Sequence, residues 1–489
     1  MSVLPDTCRV VVVGAGLAGL TLARELALAG VGKVVVLEAG PDRDVRHKNT
    51  LPGELGMRMW HMAVPDPYFV RDWTSRLPPH YDRGSGIRRR FGGRSLYWHG
   101  VCLPIEDEVL QDGTWPRTVV DALVGDGRPG LYAELQARLA RWTGRPLDAC
   151  RGPVEEQLLR SLRKQGYAAV RPVPLADRPD PVSGGRTPYT PVEHWTDPRG
   201  ETPPAVFPEC EVLEVCEARN GRALVKFRSG ARHGELRADR VFLAAGTMAV
   251  TRLAGHAISR QAGRDECELV GLNDHIVQGF LAEVPRRMLN LPNRDGRAMC
   301  FVPRNAGSAS NLFVDVSEGS EPDRVLLTVW AMGEQENSKT AVRLGRSGGP
   351  AFDVDVRFSE RDHLVISGQT GRLGELAARL LDIPDACDVL DGIDFLAGLP
   401  AYLGARTKAT VHRGREIRLF PYAYPLGSVD HEGGTLALGS LTDEYGALRC
   451  LPAVHVSGPA LFPRSGVANP SLTTMALATW QARQTALSL

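Results

Sequence analysis

Two fully apolar runs near the N-terminus, residues 10–13 and 34–37, consist of Val and Leu and are typical of strands buried on both faces of a sheet. Between them, residues 18–29 are rich in Leu and Ala, with apolar positions at helical spacing up to Gly30, a residue type that commonly follows a helix. A buried strand, a helix and a second buried strand predict a β-α-β unit, the start of a parallel sheet.

The rest of the chain shows both helical and alternating patterns. Helical periodicity predicts helices at residues 121–142, 154–162 and 371–381. Alternation predicts a hairpin at residues 211–227 that turns at Asn220 and Gly221, and strands at residues 324–331, 341–344 and 351–358. Residues 171–209 are rich in Pro, Gly and Arg and predict a loop between domains, and residues 241–247 predict a buried strand that returns to the first sheet.

The first turn carries the clearest chemical signal. Gly14, Gly16 and Gly19 form G-x-G-x-x-G directly after the first strand, which suits a tight turn, close backbone approach to a pyrophosphate, and packing of helix on strand. Glu38 ends the second strand, where an acid accepts hydrogen bonds from an adenosine ribose. This context predicts a dinucleotide site; a glycine-rich turn that binds nothing is the alternative. The ending Glu-Ala-Gly resembles the first motif of many flavoproteins and favours FAD, although the spacing alone does not exclude NAD.

Two later segments suit a flavin. Gly92 and Gly93, followed by Ser95 and aromatic residues, suit a loop that lies flat against a planar ring; a turn with basic neighbours is the alternative. Near the C-terminus, Asn469 is predicted to cap a helix with Pro470 at its first position. Such a helix aims backbone N–H groups and a partial positive charge at the N1–C2=O edge of a flavin.

These elements predict an α/β (plus α+β) fold with a Rossmann-like, FAD-binding domain and an interposed substrate-binding domain of β sheet and helices. We expect the FAD-binding domain to be discontinuous, made of residues 1–110, 205–275 and 425–489. We expect the substrate-binding domain, with connecting loops, to comprise residues 111–204 and 276–424.

Composition limits the classes of function. The chain has 489 residues, 43% of them hydrophobic, enough for two or more domains, and its net charge of +1 argues against nucleic acid as a partner. The nine cysteines are scattered and never form C-x-x-C, so we expect reduced thiols and no metal site. No signal segment precedes the first strand and no apolar run approaches a membrane span, so we expect a soluble, cytoplasmic protein without a membrane partner.

Five segments, GAGLAG with Glu38, RRFGGRS, FLAAGT, HEGGTLALG and ANPSLTTMALA, occur here in the order found in the glucose–methanol–choline (GMC) oxidoreductases, FAD enzymes that oxidise alcohols. The chain resembles this family from end to end. Within it, GGRSLYWHG and SGPALFPRSGVANPSLTTMALA look most like the pyranose-oxidase-like, sugar-acting branch. The resemblance is good over the FAD-binding segments and poor over the middle of the chain.

The resemblance implies two catalytic residues, His431 and Asn469. It also implies a set of FAD contacts: Gly14, Gly16, Gly19, Glu38, Gly92, Gly93, Ser95, Val212, Ala245, Gly246, Gly458, Asn469 and Pro470. Members with covalently bound flavin carry a histidine where this chain has Tyr97, which implies non-covalent FAD, although His99 lies two positions on. Many members have an Asp where this chain has Gly458, so a contact there comes from the backbone or is missing.

Alcohol oxidation needs a base as well as a hydride acceptor. The carbinol hydrogen leaves as hydride only if the hydroxyl proton also leaves, which requires a base within about 3 Å of that oxygen. His431 is the candidate, because an imidazole with a pKa of roughly 6.5 suits this role near neutral pH. The Asn469 amide can donate to the same oxygen and hold the carbon over flavin N5.

The substrate is less defined. Resemblance to sugar oxidases implies a hydroxyl on a sugar or glycoside, including an amino sugar such as an aminoglycoside intermediate whose primary 6′-hydroxyl becomes an aldehyde. Four polar residues of the middle region, Glu334, Gln335, Glu336 and Asn337, either bind such an amino sugar or form a solvated loop. A non-sugar alcohol such as a sterol or choline-like compound, a redox-silent flavin-dependent lyase, and a non-enzymatic FAD scaffold remain alternatives. The electron acceptor is oxygen or another compound.

Overall fold

A computed structural model describes most of the chain. The described residues are 4–48, 66–76, 81, 85–180, 185–218, 220–292, 296–305, 307–319, 321, 323–337, 340–345, 352–383, 408–412 and 415–489. Cys387 lies outside them.

An eight-stranded sheet is built around the N-terminal β-α-β unit. Its strands are β1 (Thr7–Val13), β2 (Val34–Leu37), β9 (Ala205–Phe207), β10 (Cys210–Glu217), β11 (Ala223–Ser229), β12 (Arg232–Leu243), β22 (Ala447–Leu448) and β23 (Leu451–Val456). The order is β10-β11-β12-β1-β2-β9, and β23 pairs with the end of β12. The strands β12, β1, β2 and β9 are parallel, which is the Rossmann-like core that the sequence predicts.

A second sheet has seven strands and is mainly antiparallel. It contains β6 (Arg171–Pro172), β14 (His275–Pro285), β15 (Ala298–Val302), β16 (Ser310–Glu318), β17 (Arg324–Glu334), β20 (Lys408–His412) and β21 (Arg415–Ala423). The order is β20-β21-β14-β17-β16-β15-β6. This sheet and the first confirm the expected α/β (plus α+β) class.

Among the described residues, three smaller sheets lie outside these two. They are formed by β3 (Phe69–Val70) with β5 (Ile87–Arg88), by β7 (Asp177–Pro179) with β8 (Arg186–Pro188), and by the row β13 (Cys267–Val270), β18 (Thr340–Leu344), β19 (Phe352–Val356) and β4 (Trp73–Thr74). The last row pairs strands from distant parts of the chain, since β4 lies next to β19.

The described helices are α1 (Leu17–Leu28), α2 (Asp107–Leu110), α3 (Arg117–Val124), α4 (Leu131–Thr143), α5 (Pro153–Lys164), α6 (Glu193–Thr196), α7 (Thr247–Gln261), α8 (Glu360–Leu381) and α9 (Ser471–Ser488). The C-terminal α9 packs against α1 and α4, whereas α8 packs against β14 and β17. Alanines along α1 and α9, such as Ala23, Ala478 and Ala482, are fully buried and let the two helices approach closely.

The domain boundaries predicted from the sequence remain a proposal, which can be compared with the sheet topology. All strands of the first sheet fall inside the three segments assigned to the FAD-binding domain. Residues 111–204 contribute to both predicted domains. Helices α3 and α4 pack on α9 of the first, while β6 belongs to the seven-stranded sheet of the second.

Several predicted elements differ from the observed ones. The predicted helix at 121–142 is two helices, because the chain turns at Gly125 with φ +103° before α4 begins. The predicted loop at 171–209 contains β9, which hydrogen-bonds to β2 and widens the parallel core. The helix predicted at 371–381 begins earlier, at Glu360, where Ser359 accepts a hydrogen bond from the Asp362 N–H in a capping box.

Two further expectations concern thiols and membranes. The eight cysteines within the described residues are all free thiols. Among the helices of the described segments, none is both long enough and apolar enough to span a bilayer.

Candidate functional site

A cavity of about 1310 Å³ lies between the eight-stranded and seven-stranded sheets. One end is lined by the turn after β1, the end of β2 and the start of α9. The other end is lined by side chains from one face of the seven-stranded sheet. Most residues that the sequence assigns to cofactor binding line it: Gly14, Gly16, Glu38, Gly93, Ser95, Val212, Ala245, Gly246, Gly458, Asn469 and Pro470.

The three glycines of the first turn have three different surroundings. Gly14 has φ +100°, and an added Cβ would lie 2.6 Å from Ala245 Cα, so the turn packs against the end of β12. Gly16 lines the cavity, and an added Cβ there would meet no atom of the described residues within 4 Å. Gly19 does not line the cavity; its Cβ would lie 1.9 Å from the Gly14 carbonyl oxygen, which identifies it as a packing residue.

Both carboxylate oxygens of Glu38, at the end of β2, accept hydrogen bonds from backbone N–H groups. Its Oε2 accepts from the Ala15 N–H at 2.8 Å and its Oε1 from the Gly40 N–H at 2.7 Å. Each carboxylate oxygen keeps acceptor capacity for a ribose hydroxyl. Burial raises the pKa of Glu38 to about 7, and the backbone N–H donors oppose this rise.

The loop that carries the paired glycines contacts the first turn. The Gly92 N–H donates to the Ala15 carbonyl at 2.8 Å. Gly92 has φ +91°, and its Cβ would lie 2.8 Å from Leu96 and Val192 side-chain atoms, so it packs in the core and does not line the cavity. The Ser95 hydroxyl lies 2.7 Å from the Gly92 carbonyl, to which it donates.

The predicted N-cap at Asn469 is wrong. Helix α9 begins at Ser471, Pro470 before it already has helical dihedrals, and no side chain caps the helix. The Asn469 side chain is turned to His431 instead, with its Nδ2 donating to His431 Nε2 at 3.3 Å. Its Oδ1 is buried and has no hydrogen-bond partner among the described residues. The amide is therefore available to the cavity and is not consumed by capping.

His431 also contacts a second histidine, which the sequence analysis did not identify. The His275 and His431 Nδ1 atoms lie 2.8 Å apart, and the rings meet at an interplanar angle of 89°. His275 Nε2 lies 3.1 Å from the Gly466 carbonyl oxygen. No local pattern in the sequence predicts this contact, because nothing near His275 shows that β14 begins against a loop 156 residues later.

Both histidines are disfavoured as cations. Burial lowers the pKa of His275 to about 4. Burial, followed by the neighbouring His275 and Arg94, lowers the pKa of His431 well below its ordinary value. Both imidazoles are therefore neutral near neutral pH, so His431 keeps a free lone pair there, but it is a weaker base than the ordinary imidazole, with a pKa of roughly 6.5, that the sequence leads us to expect.

Arg94 holds the His431 loop from both sides. Its guanidinium lies 3.1 Å from Asp430 Oδ1 and donates to both carboxylate oxygens of Glu432, one of them at 2.8 Å. It also donates to the Gly86 carbonyl at 2.6 Å. Nearby carboxylates raise the pKa of this arginine further, against burial, so it stays charged. The loop with Gly93 and the loop with His431 are thus joined by a partly buried set of ion pairs.

The four polar residues at the end of β17 and after it do not line the cavity. Glu334 pairs with Arg464 and accepts from the Gly466 N–H at 2.9 Å. Gln335 accepts from the Asp274 N–H at 3.1 Å, and the Asn337 amide donates to the Pro463 carbonyl at 3.2 Å. The Glu336 N–H donates to Asp362 at 2.7 Å. Glu334 and Gln335 are buried, so the interpretation as a solvated loop is wrong for these two residues. Their hydrogen bonds go to segments next to His275: Glu334 to Gly466 and Gln335 to Asp274.

One face of the seven-stranded sheet forms the opposite wall. Strand register orders its side chains: Met332 pairs with Val277, Trp330 follows on β17 beside Phe313, and Thr328 lies beside Asp315. The Trp330 and Phe313 rings stack with centroids 5.1 Å apart. Because His275 starts β14 two residues before Val277, the wall is apolar and aromatic near the histidines and polar farther along it.

The polar part of this wall carries an ion pair. Arg297 donates to Asp315 through two hydrogen bonds of 3.0 and 2.9 Å. His99 also lines the cavity here, and burial, with the nearby Arg297, lowers its pKa to about 4. Tyr97, the position at which covalent attachment is considered, is buried against Arg90 and lies outside the cavity lining.

A metal ion is the other ligand that this region suggests. Asp274, His275 and His431 each offer a ligand atom, and these atoms lie within 4.8 Å of one another. The same atoms are already used: the Asp274 oxygens accept from the His275 and Gly427 N–H groups, and the imidazoles contact each other. The expectation of no metal therefore stays a prediction.

The cavity lining has features that suit a dinucleotide cofactor. The N-termini of α1 and α9 both line it, and each offers backbone N–H groups and a partial positive charge to an anionic group. Gly16 leaves room for a phosphate group to approach the backbone closely. Asn469 Oδ1 has no hydrogen-bond partner among the described residues, so it can accept a hydrogen bond from a ligand.

Comparisons with known proteins agree with this architecture. Residues 12–71, which include Gly14 and Glu38, match the family model of an NAD(P)-binding Rossmann-like domain. The crystal structure of pyridoxine 4-oxidase from Mesorbium loti is similar over 98% of this chain and 99% of that chain, with a TM-score of 0.59 and 18% sequence identity. No curated protein matches the sequence. These likenesses show the fold and a dinucleotide-binding segment at its start.

Proposed function

We propose that this protein is an FAD-dependent oxidoreductase of the GMC type that oxidises an alcohol to a carbonyl compound. The observation that carries the proposal is the pairing of His431 Nε2 with Asn469 Nδ2, 3.3 Å apart on the wall of a cavity that begins at a dinucleotide-binding turn. The similar structure reported above is that of an oxidase, which supports an oxidation here.

His431 and Asn469 divide the work on the substrate hydroxyl. Two groups 3.3 Å apart can both reach one oxygen at hydrogen-bonding distance. The neutral His431 Nε2 accepts the hydroxyl proton, and the Asn469 amide donates to the same oxygen and orients the carbinol carbon. Bound FAD would supply the hydride acceptor, so the alcohol loses a proton and a hydride and becomes a carbonyl.

The FAD contacts follow from the cavity lining. Backbone groups at Gly16 and the α1 N-terminus would hold the pyrophosphate, and Glu38 would hold the adenosine ribose. The α9 N-terminus after Pro470 would face the flavin. We propose non-covalent binding, which Tyr97's place outside the cavity lining supports. Comparing oxygen uptake with dye reduction distinguishes oxygen from another electron acceptor.

The expected substrate is a polar, ring-bearing alcohol. The Trp330 face near the histidines suits stacking against a ring, and Thr328 and Asp315 lie two residues farther along their strands, where a polar substituent would reach. A sugar or amino sugar, which the resemblance implies, fits this gradient of polarity. An aromatic hydroxymethyl compound is the second candidate, favoured by the parallel Trp330 and Phe313 rings at 7°.

The test uses purified flavin-loaded protein under anaerobic conditions. A panel of sugars, amino sugars and aromatic alcohols is mixed with it, and bleaching of the flavin reports reduction. His431→Ala should keep bound yellow flavin but be reduced at least about 10²-fold more slowly. Near-normal reduction of the variant would remove His431 from the mechanism. Absence of bleaching with every alcohol would favour a redox-silent lyase, and protein that binds no FAD would refute the proposal.

A further inference from the structure

Four groups form a continuous row into the cavity: the Gly466 carbonyl, His275, His431 and Asn469. The separations are 3.1 Å from Gly466 O to His275 Nε2, 2.8 Å between the two Nδ1 atoms, and 3.3 Å from His431 Nε2 to Asn469 Nδ2. Each ring therefore uses both of its nitrogens.

The row has one consistent arrangement of protons for two neutral rings. A carbonyl oxygen only accepts, so His275 Nε2 must carry a hydrogen, and a neutral imidazole carries one. His275 Nδ1 is then a lone pair, and the short contact requires His431 Nδ1 to donate to it. With its hydrogen on Nδ1, His431 presents a lone pair at Nε2, the atom that faces Asn469.

The carbonyl at the far end is held rigidly. Glu334 accepts from the Gly466 N–H at 2.9 Å, and Glu106 accepts at 3.1 Å from the Val467 N–H, which belongs to the same peptide unit as the Gly466 carbonyl. Gly466 has φ +62°, and an added Cβ would lie 2.2 Å from Glu106 Oε2. The direction of the carbonyl is therefore fixed by the fold.

We infer that His275 is a positioning residue that sets the tautomer of His431, so that the Nε2 lone pair faces the substrate hydroxyl. The inference rests on the proposed function, because the role it assigns is preparation of the base for alcohol oxidation. The low pKa of His275, caused by burial, agrees with a neutral ring that only accepts at Nδ1. Without this acceptor, the His431 hydrogen is free to occupy Nε2, and the base is then blocked.

The direct test reads the tautomer. Protein labelled with ¹⁵N-histidine is prepared with its flavin bound, and long-range ¹H–¹⁵N spectra show which nitrogen of each ring carries the hydrogen; the His431 signals are assigned from the His431→Ala variant. We expect hydrogen on Nδ1 of His431 and on Nε2 of His275. A hydrogen on His431 Nε2 in the unmodified protein would overturn the inference, as would an unchanged His431 tautomer in His275→Leu.

Kinetics give the second test. His275→Leu should lower the rate of flavin reduction by alcohol about 10- to 100-fold with little change in KM. An unchanged rate would contradict the inference.

Two variants separate positioning from folding. His275→Asn keeps a side-chain oxygen near the former Nδ1 and should recover part of the rate and the Nδ1–H tautomer, whereas loss equal to that of His275→Leu would indicate a structural role. His256→Asn, at a half-buried histidine of α7 outside the cavity, is the matched control and should change nothing. If no alcohol reduces the flavin although His431 shows the expected tautomer, the proposed function fails and the positioning role stands.

Discussion

Replacing Gly16 with alanine isolates cofactor binding from folding. The residue has φ −89°, which alanine adopts without strain, and within the described part of the chain no atom lies within 4 Å of the added Cβ. The apoprotein should therefore lose less than about 1 kcal/mol, the range of a changed residue at a helix N-cap. The same methyl group would occupy the space through which a pyrophosphate approaches the α1 N–H groups.

The expected loss is one charge-assisted hydrogen bond, about 1.5–3 kcal/mol, or roughly a 10- to 100-fold weaker FAD affinity. Titration calorimetry of FAD into apoprotein measures the affinity, and denaturant unfolding measures the stability. Gly32→Ala is the matched control, since among the described residues its Cβ also meets nothing within 4 Å, and Gly32 does not line the cavity. Gly19→Ala should do the opposite and destabilise the apoprotein, because its Cβ would lie 1.9 Å from a carbonyl oxygen. Wild-type FAD affinity in Gly16→Ala would refute the proposed position of the pyrophosphate.

Three other predictions address charge, pH and metal. Arg94→Ala should lower the free energy of unfolding by about 3 kcal/mol or more in denaturant titrations, because it leaves buried carboxylates unpaired; wild-type stability would show that the ion pair contributes nothing. The folded-state pKa of His275, about 4, is below its unfolded value of 6.5, so its contribution to stability is complete above pH 6.5 and is lost as pH falls to about 4. The loss is about 3 kcal/mol, and unfolding of His275→Asn over the same pH range should lack it. Dialysis against EDTA should leave turnover unchanged, with no stoichiometric metal by mass spectrometry; loss of turnover, restored by one metal, would instead assign a metal to Asp274, His275 and His431.

The nucleotide-binding half could be predicted because its signals are local. Residues 10–13 and 34–37 are apolar at every position, and they lie within β1 and coincide with β2. The glycine loop between them follows from the turn geometry alone. In contrast, β9 has three residues without clear alternation, and only its pairing with β2 makes it a strand.

The site could be predicted only in part. His431 and Asn469 were named from their motifs, and the structure brings them together. The sequence gives Asn469 two possible roles, helix cap or active-site amide, and only the three-dimensional position of His431 shows which contact the side chain makes. His275 and Arg94 escaped prediction because their partners lie 156 and 338 residues away, and no spacing rule connects such positions.

The two walls of the cavity differ in how they can change. His431 and Asn469 come from loops fastened to the nucleotide-binding half, whereas the opposite wall consists of side chains on regular strands such as β14 and β17. Exchanging Trp330 or Thr328 would reshape the chamber without moving any backbone that carries the base. Gene duplication followed by drift on that sheet face is thus a short evolutionary route to new alcohols, and a mutant library confined to it offers the same route in the laboratory.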